Sequence, residues 1–547
     1  MSRDNSEPTE ELNGSSDFWA DEAAEKIIEN DRSPVVKGGV SPSGIPHIGN
    51  FNEIIRGHFV RAPLETKGVE GVRQVFTRDD RDPLRKIPSM VADEDGNIVE
   101  LDEEKKLELE ENLGKPLVDV PDPFGCCSSW AEHFGSQIRK STEDLGIDVE
   151  FVSNDQLYRD GEFRTAVEKI LENLEESREL LSKYQRTVDE DYVPFMPICQ
   201  SCGKITATAT EYAPESGTVD YICRDVKLGG KHEIEGCGDE GTVSLSEGKL
   251  PWRFEWPAQW MILNIGFEPF GKDHAEGSWE SGVDISREIL NHEPPESLVY
   301  EFFLVDGEKM SASKGNTYTV EQLLNFLEPR VLKYFFAKDP RKQRDFRIEN
   351  LDQLVDEFDR IESVALGETD AADDRERLYA DRVYPDLVEE VREDRLRLPY
   401  SFAAMVGVTE DEESRLDVLK RSGHLPENAT DRQKKDLLDR IDLAVNWASA
   451  LDNQYHVEVL DETPDVDFDE NVVEAFHHLA DFIESEDRLA DEIQNEIFES
   501  AREYDVGVGN FFGEGYELFL GQSSGPKLGP LLAALDREFV VERLKSA

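Results

Sequence analysis

Apolar positions follow two different rhythms along the chain. From Val35 to Val305 short apolar runs alternate with amphipathic stretches. Val35, Val36 and Val40 form a β-like run, a helical pattern follows from about Asn50 to Leu64 and stops before Gly68, and a second strand covers Val72 to Phe76. Further on, the pattern predicts a helix over Trp130 to Leu145, a strand over Val149 to Val152 and one long charged helix from about Gly161 to Val188. Strands alternating with helices predict a parallel sheet whose ligand lies at the carboxyl ends of the strands. From Asn350 the rhythm becomes 3.6 residues with almost no strand signal. Leu437, Leu438, Ile441, Val445, Ala448 and Leu451 share one face behind a Thr430/Gln433 capping pattern, and final helices fall near Phe511 to Leu520 and Leu531 to Leu544. The expected class is α/β plus all-α.

Some segments read as connectors or as core. Residues 91–120, with nearly every position from Glu104 to Glu111 charged, look like a solvated helical excursion. Trp252, Trp256 and Trp260, spaced at i, i+4 and i+8, read as a core-facing stripe more than as a pocket wall. Thr319 to Phe336 reads as two short helices split at Pro329, with Thr319 and Gln322 in a capping-box pattern. The boundaries expected are an acidic extension over 1–32, the first half of a nucleotide-binding domain over 33–160, an insertion over 161–250, the second half over 251–318, a helical connector over 319–400 and a helical domain over 401–547.

Length and composition narrow the class. With 547 residues, 38% of them hydrophobic, the chain can fill several cores. Its 120 acidic and 60 basic residues give a formal charge of −60, which taken alone argues against a polyanionic partner. Acid spread along the whole chain is the pattern expected of a protein working in multimolar salt, where the Debye length shrinks to ~3 Å or less and repulsion from RNA is largely screened. Basic residues do gather locally, at Arg341-Lys342-Gln343-Arg344-Asp345-Phe346-Arg347 and at Arg432-Gln433-Lys434-Lys435. No apolar run reaches ~18 residues and the N-terminus has no apolar leader, so a cytoplasmic protein without a membrane partner is expected, and a monomer.

Two stretches carry candidate chemistry. In Ser41-Pro42-Ser43-Gly44-Ile45-Pro46-His47-Ile48-Gly49-Asn50 a strand meets a helix, whose first N–H groups and positive dipole end suit phosphate. Gly44 and Gly49 permit close backbone approach, and His47 adds a polarisable donor. Far downstream, Lys309-Met310-Ser311-Ala312-Ser313-Lys314-Gly315-Asn316 sets two ammonium groups and two hydroxyls on a flexible loop, a cationic clamp able to follow a departing pyrophosphate. Gly271-Lys272-Asp273-His274 ends a glycine-rich turn where Asp273 can accept from ribose hydroxyls.

Cysteines point to metal. Cys199-x-x-Cys202, Cys223 and Cys237, with Gly203 and Gly238 permitting tight turns, suit a closed tetrahedral structural zinc, although the long gap before Cys237 leaves His232 as a rival fourth ligand. Cys126 and Cys127 are adjacent and lack metal-ligand spacing, so burial is expected of them and of His133.

His-Ile-Gly-Asn after the first strand and Lys-Met-Ser-Ala-Ser-Lys after the last resemble the two signatures of class I aminoacyl-tRNA synthetases, in order and separation. Thr77-Arg78-Asp79-Asp80-Arg81-Asp82-Pro83-Leu84-Arg85-Lys86, the Gly271 to His274 tetrad and an all-helical tail resemble the archaeal type of class I lysyl-tRNA synthetase, as found in halophiles. Asn50 in place of the usual histidine, and Ala312 where many relatives have a lysine, also fit that subgroup. The resemblance implies a Rossmann-type catalytic domain interrupted by a zinc-knuckle module facing the tRNA acceptor end, then a helical anticodon-binding bundle. It implies Mg-ATP, L-lysine and tRNA(Lys) as partners and an aminoacyl-adenylate intermediate. By residue, it implies ATP contacts at Pro42, Gly44, His47, Gly49, Asn50, Asp273, Lys309, Ser311, Ser313 and Lys314. His47, Asn50, Lys309 and Lys314 would stabilise developing charge, and Gly39, Ser41, Trp252 and His274 would surround lysine. Two rivals stay open: a glutamyl or arginyl enzyme, in which Arg78 or Arg81 would meet a substrate carboxylate, and a non-catalytic RNA-binding paralogue.

Overall fold

The computed structural model describes residues 18–547 apart from 43, 187, 229–231, 311–315 and 410, and the side chains of 228 and 232 are also outside the description. The chain forms two compact units. The first holds residues up to 320 with 333–346 and 371–389, and the second holds 321–332, 347–370 and 390–547.

At the centre of the first unit is a five-stranded sheet made of β1 (Val35–Val40), β2 (Arg73–Arg78), β3 (Glu150–Ser153), β4 (Phe267–Gly271) and β5 (Glu296–Tyr300). All its pairings are parallel and the spatial order is β3-β2-β1-β4-β5. Chain order reverses between β1 and β4, which opens a crevice at the strand ends, where open α/β sheets bind ligands. Register sets what lines it: Val40 pairs with Arg78, Arg78 with Ser153 and Gly271 with Tyr300, so residues 39–41, 79–82 and 271–274 emerge side by side. Helix α1 (Trp19–Glu29) packs on α2 (Asn52–Thr66) through Phe18, Trp19 and Phe59.

Three sequence expectations change here. Residues 91–120 are no solvated excursion. A hairpin, Met90–Ala92 with Ile98–Glu100, and a helix, Glu103–Glu111, bury Val91, Leu101, Leu109 and Leu117 against Trp130 and Phe134 of α3 (Trp130–Asp144). The charged face that dominates the sequence there is the outer face of a one-sided element. The long helix expected after Gly161 is two, Arg164–Glu172 and Leu174–Ser182, broken at Asn173, whose φ of −105° and ψ of 48° are not helical. In the tail, the last predicted helix divides into Leu528–Ala534 and Arg537–Lys545, with Asp536 capping the second.

The insertion is mostly β, with antiparallel strands Ala207–Ala213, Thr218–Cys223 and Glu240–Ser244. Its core joins the paired helices and Phe254 of α4 (Trp252–Leu263). The second unit is helical throughout its described residues. Its longest helix, Asp431–Leu451, carries the expected Thr430/Gln433 capping box and buries Leu437, Ile441, Ala444 and Trp447. No helix among the described residues is long and apolar enough to cross a membrane.

Candidate functional site

A cleft of about 590 Å³ opens at the carboxyl ends of β1, β2, β4 and β5. It gathers Gly39, Ser41, His47, Gly49, Asn50, Trp252, Asp273, His274 and Lys309 from the sequence candidates. Pro42 and Gly44 do not line it. Pro42 is buried with its carbonyl accepting from Trp130 Nε1 at 2.9 Å, and Gly44 carries a left-handed φ of 152°, so both shape the turn from behind. Ser311, Ser313 and Lys314 lie outside the described residues.

The first turn is built around His47. Its Nδ1 accepts from Gly49 N–H at 3.1 Å, capping a 3-10 turn, Ile48–Phe51, that leads into α2. A Cβ on Gly49 would fall 2.8 Å from the imidazole and 2.9 Å from Met310 Cε, so a side chain there would displace the His47 ring or the Met310 methyl that packs on the turn. Burial lowers the His47 pKa to about 4, with its backbone hydrogen bond opposing. The ring is therefore neutral at pH 7 and keeps its proton on Nε2, a donor suited to a phosphate oxygen. His47 also bridges to Thr319, and Ile48 N–H donates to Tyr318 O at 2.9 Å, so the chain leaving the clamp loop is fastened to the phosphate turn. At the loop's other end Lys309 Nζ stands 4.7 Å over the Phe302 ring, and Asn316 Nδ2 donates to Lys309 O at 3.2 Å.

Carboxylates dominate the rest. Among the described lining residues Glu53, Asp79, Asp82 and Asp273 face only Arg85 and Lys309. Glu53, from the first turn of α2, accepts from Gly39 N–H at 2.7 Å and from Tyr300 Oη at 3.2 Å. Burial pushes its carboxyl up to about 8, against the pull of the Gly39 N–H and Lys37 and with Glu268 adding to the rise. Asp79 accepts from Asn154 Nδ2 at 2.6 Å and Gln259 Nε2 at 3.0 Å, and burial beside Asp82 and Glu255 holds it above the usual carboxylate range. Asp82 is different: although burial pushes it up, an ion pair with buried Lys249 keeps it low. Lys249 is 2.8 Å from Glu255 as well.

The tryptophan stripe divides between two roles. Trp256 and Trp260 are buried and donate to Glu268 at 3.0 and 2.6 Å, while Lys37 pairs with the same carboxylate at 2.6 Å. Trp252 reaches the cleft, stacked on Trp256 at 5.4 Å with His274 5.8 Å away. Arg78 and Arg81 do not enter it: Arg78 binds Glu132, and Arg81 is consumed by Asp155 and the carbonyls of Ser246 and Gly248. That arrangement keeps both arginines from a substrate carboxylate in the cleft.

Glu53, Asp79, Asp82, Lys249 and Tyr300 were not singled out as site residues from sequence. Glu53 follows His47 by six positions, which is the one local signal for it.

Among the described residues two groups can hold metal. The Sγ atoms of Cys199, Cys202, Cys223 and Cys237 lie within 4.8 Å of one another, with Cys199 to Cys237 at 3.6 Å and Cys202 to Cys223 at 3.8 Å. Zinc bonded to sulfur at ~2.3 Å in a tetrahedron needs edges of roughly 3.8 Å, so the four thiols fit it. Gly203 and Gly238, at φ of 72° and 79°, make the turns. The side chain of His232, the rival ligand, lies outside the described residues. The second group corrects an expectation: Cys126 is exposed, Cys127 half-buried, and both converge with Asp122 and buried His133 within 4.8 Å. His133 Nε2 lies 3.1 Å from Ala92 O, and its Nδ1 faces Cys126 Sγ at 3.1 Å and Asp122 Oδ1 at 3.3 Å, so one ring nitrogen touches both a thiol and the carboxylate of the cluster. The signal was Asp-x₃-Cys-Cys-x₅-His, a spacing unlike a zinc knuckle.

Sheet order, phosphate turn and clamp loop together define a class I tRNA synthetase, and the chain belongs to that family: the model described as tRNA synthetases class I (K) matches residues 17–384. Among individual proteins, it is 51% identical to a lysine–tRNA ligase of Halobacterium salinarum over 96% of both chains, and 50% identical to that of Haloarcula marismortui over 96% of this chain and 97% of the other. A lysine–tRNA ligase of Thermococcus kodakarensis is 32% identical, over 96% of this chain and 99% of its own.

Proposed function

We infer that the protein joins lysine to its transfer RNA at the expense of ATP. The observation that carries the amino acid is the surplus of carboxylates in the cleft. Lysine brings two ammonium groups and one carboxylate, and Glu53 and Asp79 are buried acids short of a cation. In this reading Glu53, held by Tyr300 and the β1 backbone, receives the ε-ammonium, and Trp252 and His274 flank the chain of methylenes. Gly39 and Ser41 lie beside it, and Asp79 takes the α-ammonium.

ATP enters as its magnesium complex. His47 Nε2–H and the Asn50 amide donate to its phosphates, Asp273 accepts from the ribose, and Lys309, joined by Lys314, follows the charge that develops on pyrophosphate. Lysine's carboxylate attacks the α-phosphate, pyrophosphate leaves, and the terminal adenosine hydroxyl of the transfer RNA then displaces AMP. Positioning and charge stabilisation are enough, so no side chain need act as nucleophile. Zinc at the four cysteines would be structural, because four ligands leave no position open.

The test is charging of unfractionated transfer RNA with labelled lysine, glutamate or arginine in multimolar KCl. Lysine alone should be incorporated. Incorporation of glutamate or arginine instead would overturn the amino acid, and incorporation of none would leave an RNA-binding paralogue.

A further inference from the structure

We propose that a second cavity of the first unit, between Tyr334 and Tyr379, seats the phosphodiester backbone of the transfer RNA. The proposal rests on the lysine–tRNA ligase reading.

The cavity measures about 780 Å³ and is lined by Lys338, Arg341, Lys342, Arg344 and Arg375, with Glu22, Asp339 and Asp374 as its only carboxylates among the described residues. Five cations against three acids reverse the ratio of the whole chain, which has twice as many acids as bases. In the cleft at the sheet ends the described balance is the opposite, four acids to two cations. The local charge of this cavity therefore runs against that of the chain as a whole.

The cations are set in position before any ligand arrives. Arg341 is fixed by Asp339 at 2.9 Å and Glu22 at 3.1 Å, in the turn that follows helix Pro329–Ala337. Lys338 Nζ sits 5.0 Å over the Tyr334 ring. Arg344 Nε is buried with no hydrogen-bond partner among the described residues, a donor that an anionic oxygen would satisfy. Beside them Leu378 is 61% exposed, so the rim offers sugars an apolar contact.

An extended polyanion fits better than a small one. The five cations come from three chain segments, 338, 341–344 and 375, and a single phosphate would engage two or three of them. Position also favours the substrate RNA. Buried Arg56 stacks its guanidinium 5.7 Å from Trp19, which lines this cavity, and 5.6 Å from Tyr300, which lines the cleft. Arg56 thus touches a wall residue of each cavity. In multimolar salt the gain from counterion release fades, so long-range attraction is weak and preset short contacts of this kind must supply the affinity.

The test compares wild type with Lys342→Glu/Arg344→Glu and with the milder Lys342→Gln, all in KCl that keeps the fold. Affinity for a tRNA(Lys) transcript should fall ~10-fold or more in the double variant and a few-fold in Lys342→Gln. The slope of log Kd against log[KCl] should shrink by about one for each phosphate that no longer meets a cation. Lysine affinity and melting temperature should not move. A folded double variant binding the transcript within twofold of wild type overturns the proposal. Should the double variant not fold, unchanged affinity and slope in Lys342→Gln overturn it. Millimolar inorganic phosphate that protects Arg344 from guanidinium-modifying reagent without weakening transcript binding would assign the cavity to a small anion and also overturn it. A wild-type enzyme that charges no transfer RNA would instead bring down the ligase reading, an outcome distinct from all of these.

Discussion

Charge is buried in two ways in this protein. In the helical unit Arg440, 3% exposed, is met by Asp359 at 2.6 Å, by Glu328 at 2.9 Å and by the Leu398 carbonyl at 3.1 Å. Burial alone would raise Glu328, yet Arg440 and Arg330 hold it down at about 2. Every charge there has its partner. In the cleft, burial lifts Glu53 to about 8, and the Gly39 and Tyr300 hydrogen bonds and Lys37 only partly offset it. A satisfied cluster stabilises the unit that contains it, whereas an unsatisfied one stores a preference for a ligand that will complete it.

Glu53→Gln should expose the difference most strongly. Charging efficiency, as kcat/KM for lysine, should drop ~10³-fold or more, since an amide cannot balance a buried ammonium; about 4 kcal/mol of binding is at stake. Stability should respond in the opposite sense. Glu53 binds its proton more tightly folded than unfolded, so its contribution is fully present below about pH 4.5 and is lost as the pH rises through about 8. The glutamine variant, which never ionises, should therefore melt higher than wild type at pH 8 and alike at pH 4.5. A lower melting point at pH 8 would break the comparison.

Arg440→Met is the converse. Two carboxylates left buried without their cation should cost about 3–5 kcal/mol, read by denaturation, while the KM for lysine stays unchanged in whatever remains folded. Asp79→Asn is expected to fall between, raising the KM for lysine ~10-fold with little change in melting, because Asn154 and Gln259 still find an acceptor. The smallest effect sharpens the boundary from outside: Cys199→Ser should remove one equivalent of zinc by metal analysis and lower the melting temperature by several degrees, with lysine affinity intact. Zinc retained at full stoichiometry would refute the four-thiol assignment.

What could be read from the sequence was whatever is local. The strand, the His47 turn and α2 follow one another from Val35 to Thr66, and Cys199-x-x-Cys202 announces itself by spacing. Glu53 was hidden because an acid in the first turn of a helix is ordinary dipole chemistry; only Tyr300, brought in by the neighbouring-but-one strand, gives it meaning. Lys249 reaches Asp82 across 167 positions, a pairing no periodicity encodes. Cys126 and Cys127 escape the usual spacing rule because Asp122 and His133 complete their cluster. The basic run at 341–347 was visible, but the rest of its cavity wall arrives from far along the chain, with Phe18 to Glu22 on one side and Asp374 to Tyr379 on the other.

If Glu53 receives the ε-ammonium, as proposed above, its being mostly protonated at neutral pH makes lysine capture an exchange of cations. As the ε-ammonium enters, Glu53 must ionise, and close to one proton leaves the protein for each lysine bound at pH 7. The heat of binding should consequently vary with the ionisation enthalpy of the buffer. It also follows that the pocket chooses least well in acid, where a protonated Glu53 can donate to a neutral guest, and that its preference for lysine over norleucine should widen steadily until about pH 8.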